Sequence, residues 1–230
     1  MTFKTMTAAA FAIAALTACS PQTQSAADTV TDAAKTAAAK VDASTKAAGV
    51  DISSLPKGLY HAESGHAYIA FSYDHQGYSK PIIRWGKFGS TVALDPEAPE
   101  KSGVGVVIDV ASVDTGVPVF DEHLVSANWF DAAQYPEIVF QNTAIDQSAL
   151  GSGTLTGDLT IKGVTRPVTL DVTLNKVGNH FRSKKPMFGI SATGSLKRSD
   201  FGIDRFAPMA DDINLTIEIE YIKEADGESE

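Results

Sequence analysis

Residues 213–221 alternate without a break between apolar and polar side chains. Ile213, Leu215, Ile217, Ile219 and Tyr221 fall on one side, and Asn214, Thr216, Glu218 and Glu220 on the other. A period of two is a β-strand with one dry and one wet face, as an antiparallel sheet packed on one side requires. Val168, Leu170, Val172 and Leu174 alternate with Thr169, Asp171, Thr173 and Asn175 in the same way. Less strict strands are predicted near 66–75, 86–95, 103–112, 136–146, 153–162 and 187–198. Turn signals stand between them at Asp95-Pro96, Gly151-Ser152-Gly153, Lys162-Gly163 and Gly178-Asn179. About eight strands with one apolar face point to closure, because closure removes exposed edges. The expectation is an all-β fold, a single antiparallel β-barrel of about eight strands, with a two-sheet sandwich as the alternative that fits the same alternation. An eight-stranded barrel has an interior just wide enough for side chains or for one small ligand.

One stretch breaks the alternation. Residues 121–131 read as a short helix, with Asp121 and Glu122 near the N-terminus, where the helix dipole favours acids, and Leu124, Ala127, Trp129 and Phe130 apolar. Tyr135-Pro136 then ends it and starts the next strand.

The first fifty-five residues have a different character. Lys4 precedes an apolar stretch from Met6 to Ala18, too short for the roughly 20 residues that span a bilayer. A positive start followed by a short apolar run is the pattern of a secretory signal, here residues 1–18. It ends in Leu16-Thr17-Ala18-Cys19, which resembles the bacterial lipobox, whose cysteine is lipidated. Cys19 is the sole cysteine of the chain, so no internal disulfide or thiolate metal cluster is open to it. Residues 20–54 are rich in Ala, Thr, Ser, Asp and Lys and have no aromatic side chain, so they bury too little surface to fold alone. Residues 19–55 are therefore expected to be a lipidated flexible tether, 56–223 the barrel, and 224–230 a disordered acidic tail. Ser20 after the cysteine, by resemblance to bacterial sorting rules, predicts the periplasm and the outer membrane of a Gram-negative cell.

The net charge of -9 argues against nucleic acid, which needs a basic face. Lys184-Lys185 and Lys197-Arg198 are short pairs of the kind that sit on solvated surfaces.

Several blocks now come together in order: Ser112-Val113-Asp114-Thr115, Asp121-Glu122-His123-Leu124, Phe130-Asp131, Tyr135-Pro136 with Phe140, residues 157–168 (Gly-Asp-Leu-Thr-Ile-Lys-Gly-Val-Thr-Arg-Pro-Val), and Arg198-Ser199-Asp200-Phe201-Gly202. Over roughly 59–222 the chain resembles the YceI-like family of bacterial periplasmic proteins. The resemblance implies a lipocalin-like barrel with an elongated lumen that binds a polyisoprenoid or a similar long-chain amphiphile. It also implies a link to isoprenoid quinones, since such domains occur beside membrane cytochromes, so a membrane cytochrome is the protein partner it points to. The alternatives are a quinone-linked partner of an electron-transfer system and a filled barrel that presents loops to another protein. Phe120 stands where the family tends to carry a basic residue, and residues 76–86 are more polar and aromatic than its usual apolar run.

Strand parity nominates the lining. Ile69, Phe71, Tyr73 and His75 share one face, and Ile190, Ala192, Gly194, Leu196 and Arg198 share another, with small residues that leave space. Val106, Ile108, Phe140, Leu159 and Ile161 are further candidates. His75, Arg84 and Arg198 are the candidates for a polar head group, since Arg suits phosphate by its fork; for Arg198 an ion pair with Asp200 or a neighbouring strand is the favoured structural role.

No enzyme is expected. Asp121 and His123 lie two apart and do not share a helix face, so a capped helix with a partly exposed histidine is favoured over a metal or acid–base site. His61, His66 and His75, with Glu63 and Asp74, are a weaker cluster, because His66 and His75 differ in parity. No nucleophile elbow, phosphate loop or paired zinc motif occurs. Neither a metal nor a cofactor is expected beyond a bound isoprenoid lipid or quinone.

Overall fold

A computed structural model describes residues 49–225. The signal sequence, Cys19, nearly all of the tether and residues 226–230 of the tail lie outside the described residues. The described part contains β1 (Gly58–Tyr73), β2 (Ile82–Trp85), β3 (Phe88–Leu94), β4 (Gly103–Asp109), β5 (Val113–Asp114), α1 (Pro118–Val125), β6 (Glu137–Ala149), β7 (Ser152–Ile161), β8 (Val164–Asn179), β9 (Pro186–Lys197) and β10 (Asp212–Lys223). All the pairings are antiparallel.

Eight of these strands form a closed barrel. The order runs β10-β9-β8-β7-β6-β4-β3-β1, and β1 pairs again with β10 to complete the circle. Residues 58–61 of β1 pair with β3, whereas 70–72 pair with β2, which carries β5 on its far edge. The β2–β5 pair is thus an appendage at one rim. That rim also carries α1 and the connection from Arg198 to Asp211, and is called the α1 end. The opposite rim holds Gly58, Leu94, Gly103, the 149–152 hairpin and Lys223, and is called the hairpin end.

Bulges rephase three strands. On β1 the step from Ala62 to Ala67 matches Tyr221 to Ile219 on β10, so inward parity changes from Tyr60 to Ile69, Phe71 and Tyr73. On β6 the irregularity between Asn142 and Ala144 moves the inward set from Ile138 and Phe140 to Ile145. On β8 it falls after Leu174.

The helix differs from the sequence reading. It spans Pro118–Val125, not 121–131. Proline is preformed for the first helical turn. The Asp121 carboxylate pins that turn by accepting from the Thr115 amide at 2.7 Å and the Thr115 hydroxyl at 2.6 Å. Ser126 ends the helix, its hydroxyl donating to the His123 carbonyl at 2.7 Å. Trp129 and Phe130 follow in turns, and the Phe130 amide reaches back to the Leu124 carbonyl at 3.0 Å. Lys162 and Gly163 form a two-residue hairpin with positive φ of 52° and 75°, the primed turn that suits strand twist. Gly178-Asn179, by contrast, belongs to β8, and the turn comes after it. The short pair β2 and β5 was not anticipated.

Two glycines allow the strands to pack closely. A Cβ on Gly157 would meet Phe140 at 2.4 Å, and one on Gly194 would meet Leu170 at 2.6 Å. The room that Gly194 leaves is therefore taken by Leu170. Among the inward-facing small residues of β9, Ala192 faces the lumen.

Candidate functional site

The barrel is not filled by its own side chains. A cavity of about 700 Å³ runs along the interior, lined by residues from each of the eight barrel strands and from β2. This is within the 300–1,000 Å³ or so of ordinary ligand pockets. Ile69, Phe71, Tyr73, Ile108, Phe140, Leu159, Ile161, Ile190 and Leu196 all lie in the lining, as does Val106. Their strands place them there by parity, apolar face inward.

The two ends differ. Toward the hairpin end, Tyr60, Phe188 and Tyr221 pack ring on ring, with centroids 5.3 Å and 5.0 Å apart. The Tyr221 hydroxyl shares a 2.7 Å hydrogen bond with Ser90, and the Tyr60 hydroxyl donates to the Pro56 carbonyl at 2.7 Å. Burial pushes the Tyr60 phenol up to about 12, and raises that of Tyr221 as well. Ile145, Leu155, Leu174 and Ile52 line the cavity on the other side of this end.

At the α1 end, Phe71, Trp85 and Phe130 form an aromatic triad, with centroid separations of 5.8, 6.4 and 5.2 Å. The three rings come from β1, β2 and the turn after α1. Arg198 lies beside them, buried at 7% exposure. Its Nε donates to the Ala210 carbonyl at 2.6 Å and its Nη1 to the Ile203 carbonyl at 2.7 Å. Its guanidinium sits 5.1 Å from the centre of the Trp129 ring. Burial lowers its pKa, while Asp211 and Asp204 act to raise it. Burial would raise Asp211 too, but hydrogen bonds from the Ser199 amide and hydroxyl, with Lys197 and Arg198 nearby, hold it below the ordinary range.

The head-group candidates separate in space. His75 and Arg198 line the cavity at the α1 end, His75 on the exposed rim. Arg84 is not among the lining residues. It is exposed and pairs with Asp114 across the β2–β5 ladder at 2.7 Å. Nor does Arg198 pair with Asp200; its geometric partners are backbone carbonyls in the 198–211 connection. The sequence reading missed Ile83, Trp85 and Phe130 as lining residues. The aromatic content of 76–86 and the Trp129-Phe130 pair were the signals available.

The histidines do not gather. His66 contacts Glu63 at 2.7 Å, His61 contacts Glu224 at 3.4 Å, and His75 stands edge-on to Tyr73. His123 is exposed on α1, its ring edge-on to Phe120 and Trp129. Among the described residues no three His, Cys, Asp or Glu side chains are placed to hold a metal.

The YceI-like domain model matches residues 60–221. The chain belongs to the YceI-like family. A YceI protein of Escherichia coli (strain UMN026) is 34% identical over 163 residues, covering 70% of this chain and 84% of its own length. The crystal structure of the Campylobacter jejuni YCEI protein superposes with a TM-score of 0.59 at 31% identity, covering 66% of this chain and 90% of that one. A polyisoprenoid binding domain from Saccharophagus degradans superposes with a TM-score of 0.54 at 12% identity, covering 74% and 100%, a likeness of fold. The YceI-like barrel observed here agrees with these neighbours in architecture, with its eight strands closed through β1 and β10.

Proposed function

We propose that this YceI-like protein binds a polyisoprenoid or similar long-chain amphiphile in its lumen and sequesters or carries it in the periplasm. The observation that carries this reading is the cavity itself. A barrel that only needed to be stable would fill an interior of this size with larger side chains. Here the interior keeps about 700 Å³ and faces it with Ile, Leu, Val and Phe. Each methylene withdrawn from water contributes about 0.8 kcal/mol, so a long apolar chain gains several kcal/mol there, partly offset by the ordering of the chain. The Saccharophagus degradans neighbour, a polyisoprenoid binding domain, supports the same ligand class. A cavity of this size weighs against a filled interaction module. The reading includes tethering to the outer membrane through a lipid on Cys19, supported by the Leu16-Thr17-Ala18-Cys19 pattern after the apolar run. It involves no catalytic step.

The test is native mass spectrometry of protein purified gently from its bacterial host. A reproducible adduct that organic extraction removes, and that fragments as an isoprenoid chain, is the expected result. A clean apo mass in repeated preparations overturns the reading.

A further inference from the structure

The β8–β9 hairpin stands out from the hairpin end of the barrel. Its two strands pair as far as Asn179 and Pro186, whereas β7 leaves β8 at Thr173, opposite Ser152. Residues 174–179 thus run past the end of β7, roughly 20 Å of strand. The tip, residues 180–185, is tied together by its own hydrogen bonds. The Lys184 amide donates to the His180 carbonyl at 2.9 Å, the His180 amide to the Lys185 carbonyl at 2.9 Å, and the Lys184 Nζ to the Phe181 carbonyl at 2.7 Å. That frame holds Phe181 out, at 67% exposure, with the Arg182 guanidinium 5.1 Å from the centre of its ring.

The charge of the tip runs against that of the chain. The whole carries -9, yet no Asp or Glu occurs from Val172 to Ser199. Arg182 and Lys184 are exposed and Lys185 is half-buried. Among the described residues none of the three has a carboxylate within ion-pair distance. At the α1 end, by contrast, Arg84 pairs with Asp114, Lys87 with Asp109 and Lys197 with Asp212. On β10 and just beyond it, Glu220 and Glu224 contact His66 and His61. Glu97 and Glu100 belong to the β3–β4 connection, which the strand order places across the barrel from β8 and β9.

We propose that this tip docks on a bilayer surface carrying anionic phospholipid, with Arg182, Lys184 and Lys185 at the phosphates and the Phe181 ring at the boundary between head groups and acyl chains. Cations beside an exposed aromatic ring are the two chemistries that such an interface presents at adjacent depths. Among the described residues the Arg182 fork makes no hydrogen bond, so it is free for a phosphate. So small a convex tip suits a fluid surface, and it falls well short of the roughly 1,200 Å² that a stable protein interface buries. A chain of -9 is repelled by an anionic surface as a whole, so the tip also fixes which end faces it. The stretch that leads from Cys19 reaches the barrel at this same end. A Cβ on Gly49 would meet the Leu150 carbonyl oxygen at 2.0 Å, and one on Gly151 the Val50 amide nitrogen at 2.8 Å. The Gly151 carbonyl in turn accepts from the Leu174 amide of β8 at 2.8 Å. Docking of the tip requires neither a filled lumen nor a lipid on Cys19.

The test uses the full chain with Cys19→Ala, so that an acyl anchor adds nothing, and with Phe181→Trp as a reporter at the tip. Vesicles of phosphatidylcholine alone, or of phosphatidylcholine with phosphatidylglycerol, are titrated in at low salt. The expected result is a blue shift of tryptophan emission with the anionic vesicles only, lost at about 0.5 M salt. Arg182→Gln, Lys184→Asn and Lys185→Gln together are expected to weaken that binding about a hundredfold. Asparagine is chosen at 184 because it tolerates the positive φ of 59° there. Lys80→Gln, Arg84→Gln and Lys87→Gln together remove the same charge from the α1 end and are expected to leave the binding unchanged. No shift with anionic vesicles, an equal shift with both kinds, or an equal loss in the two triple variants overturns the proposal. Displacement from the vesicles by soluble polyglutamate at matched charge would mean that the tip reads an acidic polypeptide and not a bilayer, and overturns it as well. The lumen reading stands or falls separately, on the native mass spectrum.

Discussion

Arg198 lies 5.1 Å over the ring of Trp129, and the contact ties the connection after β9 to the turn after α1. A guanidinium at 7% exposure must recover in contacts what it loses in hydration. It does so with two backbone carbonyls and an aromatic face, the combination that a planar fork supplies and an ammonium does not. Both residues line the lumen at its α1 end.

Arg198→Lys is expected to destabilise the barrel by about 2 kcal/mol, because a buried carbonyl left without its donor costs about 1–3 kcal/mol. Denaturant melts of the two proteins measure it. A difference within error would mean that the 198–211 connection holds its shape without the guanidinium.

Phe71 belongs to the triad with Trp85 and Phe130 and faces the cavity. Phe71→Arg places a charge among apolar walls and is expected to abolish retention of the lipid. Circular dichroism establishes that the variant is still a barrel, and native mass spectrometry reads the adduct. An adduct retained in a folded variant would remove Phe71 from the binding surface.

Three of the six tyrosines are expected to titrate late. Burial raises the phenols of Tyr60, Tyr73 and Tyr221, that of Tyr60 to about 12. A pKa higher in the folded state than the ordinary value of about 10 means that the neutral phenol stabilises the fold. That stabilisation is complete below about pH 10 and is lost as pH rises through about 12 for Tyr60. Ionisation of these three phenols, read as tyrosinate absorbance, should come together with loss of the β signal. Their ionisation with the β signal intact contradicts this.

Cys19→Ala tests the tether proposal. The altered protein is expected to leave the membrane fraction and to lose its labelling by a radioactive fatty acid. Unchanged fractionation and labelling would refute lipidation at this residue.

Much of the barrel was readable from alternation, and the places where it was not share one cause. The strand read as 66–75 is the second half of β1; its first half was hidden because the bulge at 62–67 reverses parity. The period of two loses its phase there, and again near Asn142 on β6. Gly178-Asn179 looked like a turn because its residue types favour turns, yet pairing with Met187 and Pro186 holds it in β8. Trp129 and Phe130 looked helical because they continue an apolar pattern, yet the Ser126 cap stops α1 before them.

The lining residues on β1, β4, β6, β7 and β9 were legible because a face is a local property of a strand. The aromatic triad was not, because β1, β2 and the turn after α1 meet only when the barrel is closed. Arg84 and Arg198 looked alike in sequence, each a cation beside a strand end. The fold gave one an exposed carboxylate partner and buried the other on carbonyls.

The sequence by itself therefore determined which side chains share a dry face, since alternation is written residue by residue, and it carried the motifs of the family. Only the tertiary structure decided that these faces enclose a cavity and do not meet as a solid core. That outcome depends on the pairing of β1 with β10, on bulges that rotate the inward set, and on glycines that set how closely strands approach. Each of these is a relation between residues distant along the chain, and the volume between two faces has no counterpart in either one alone.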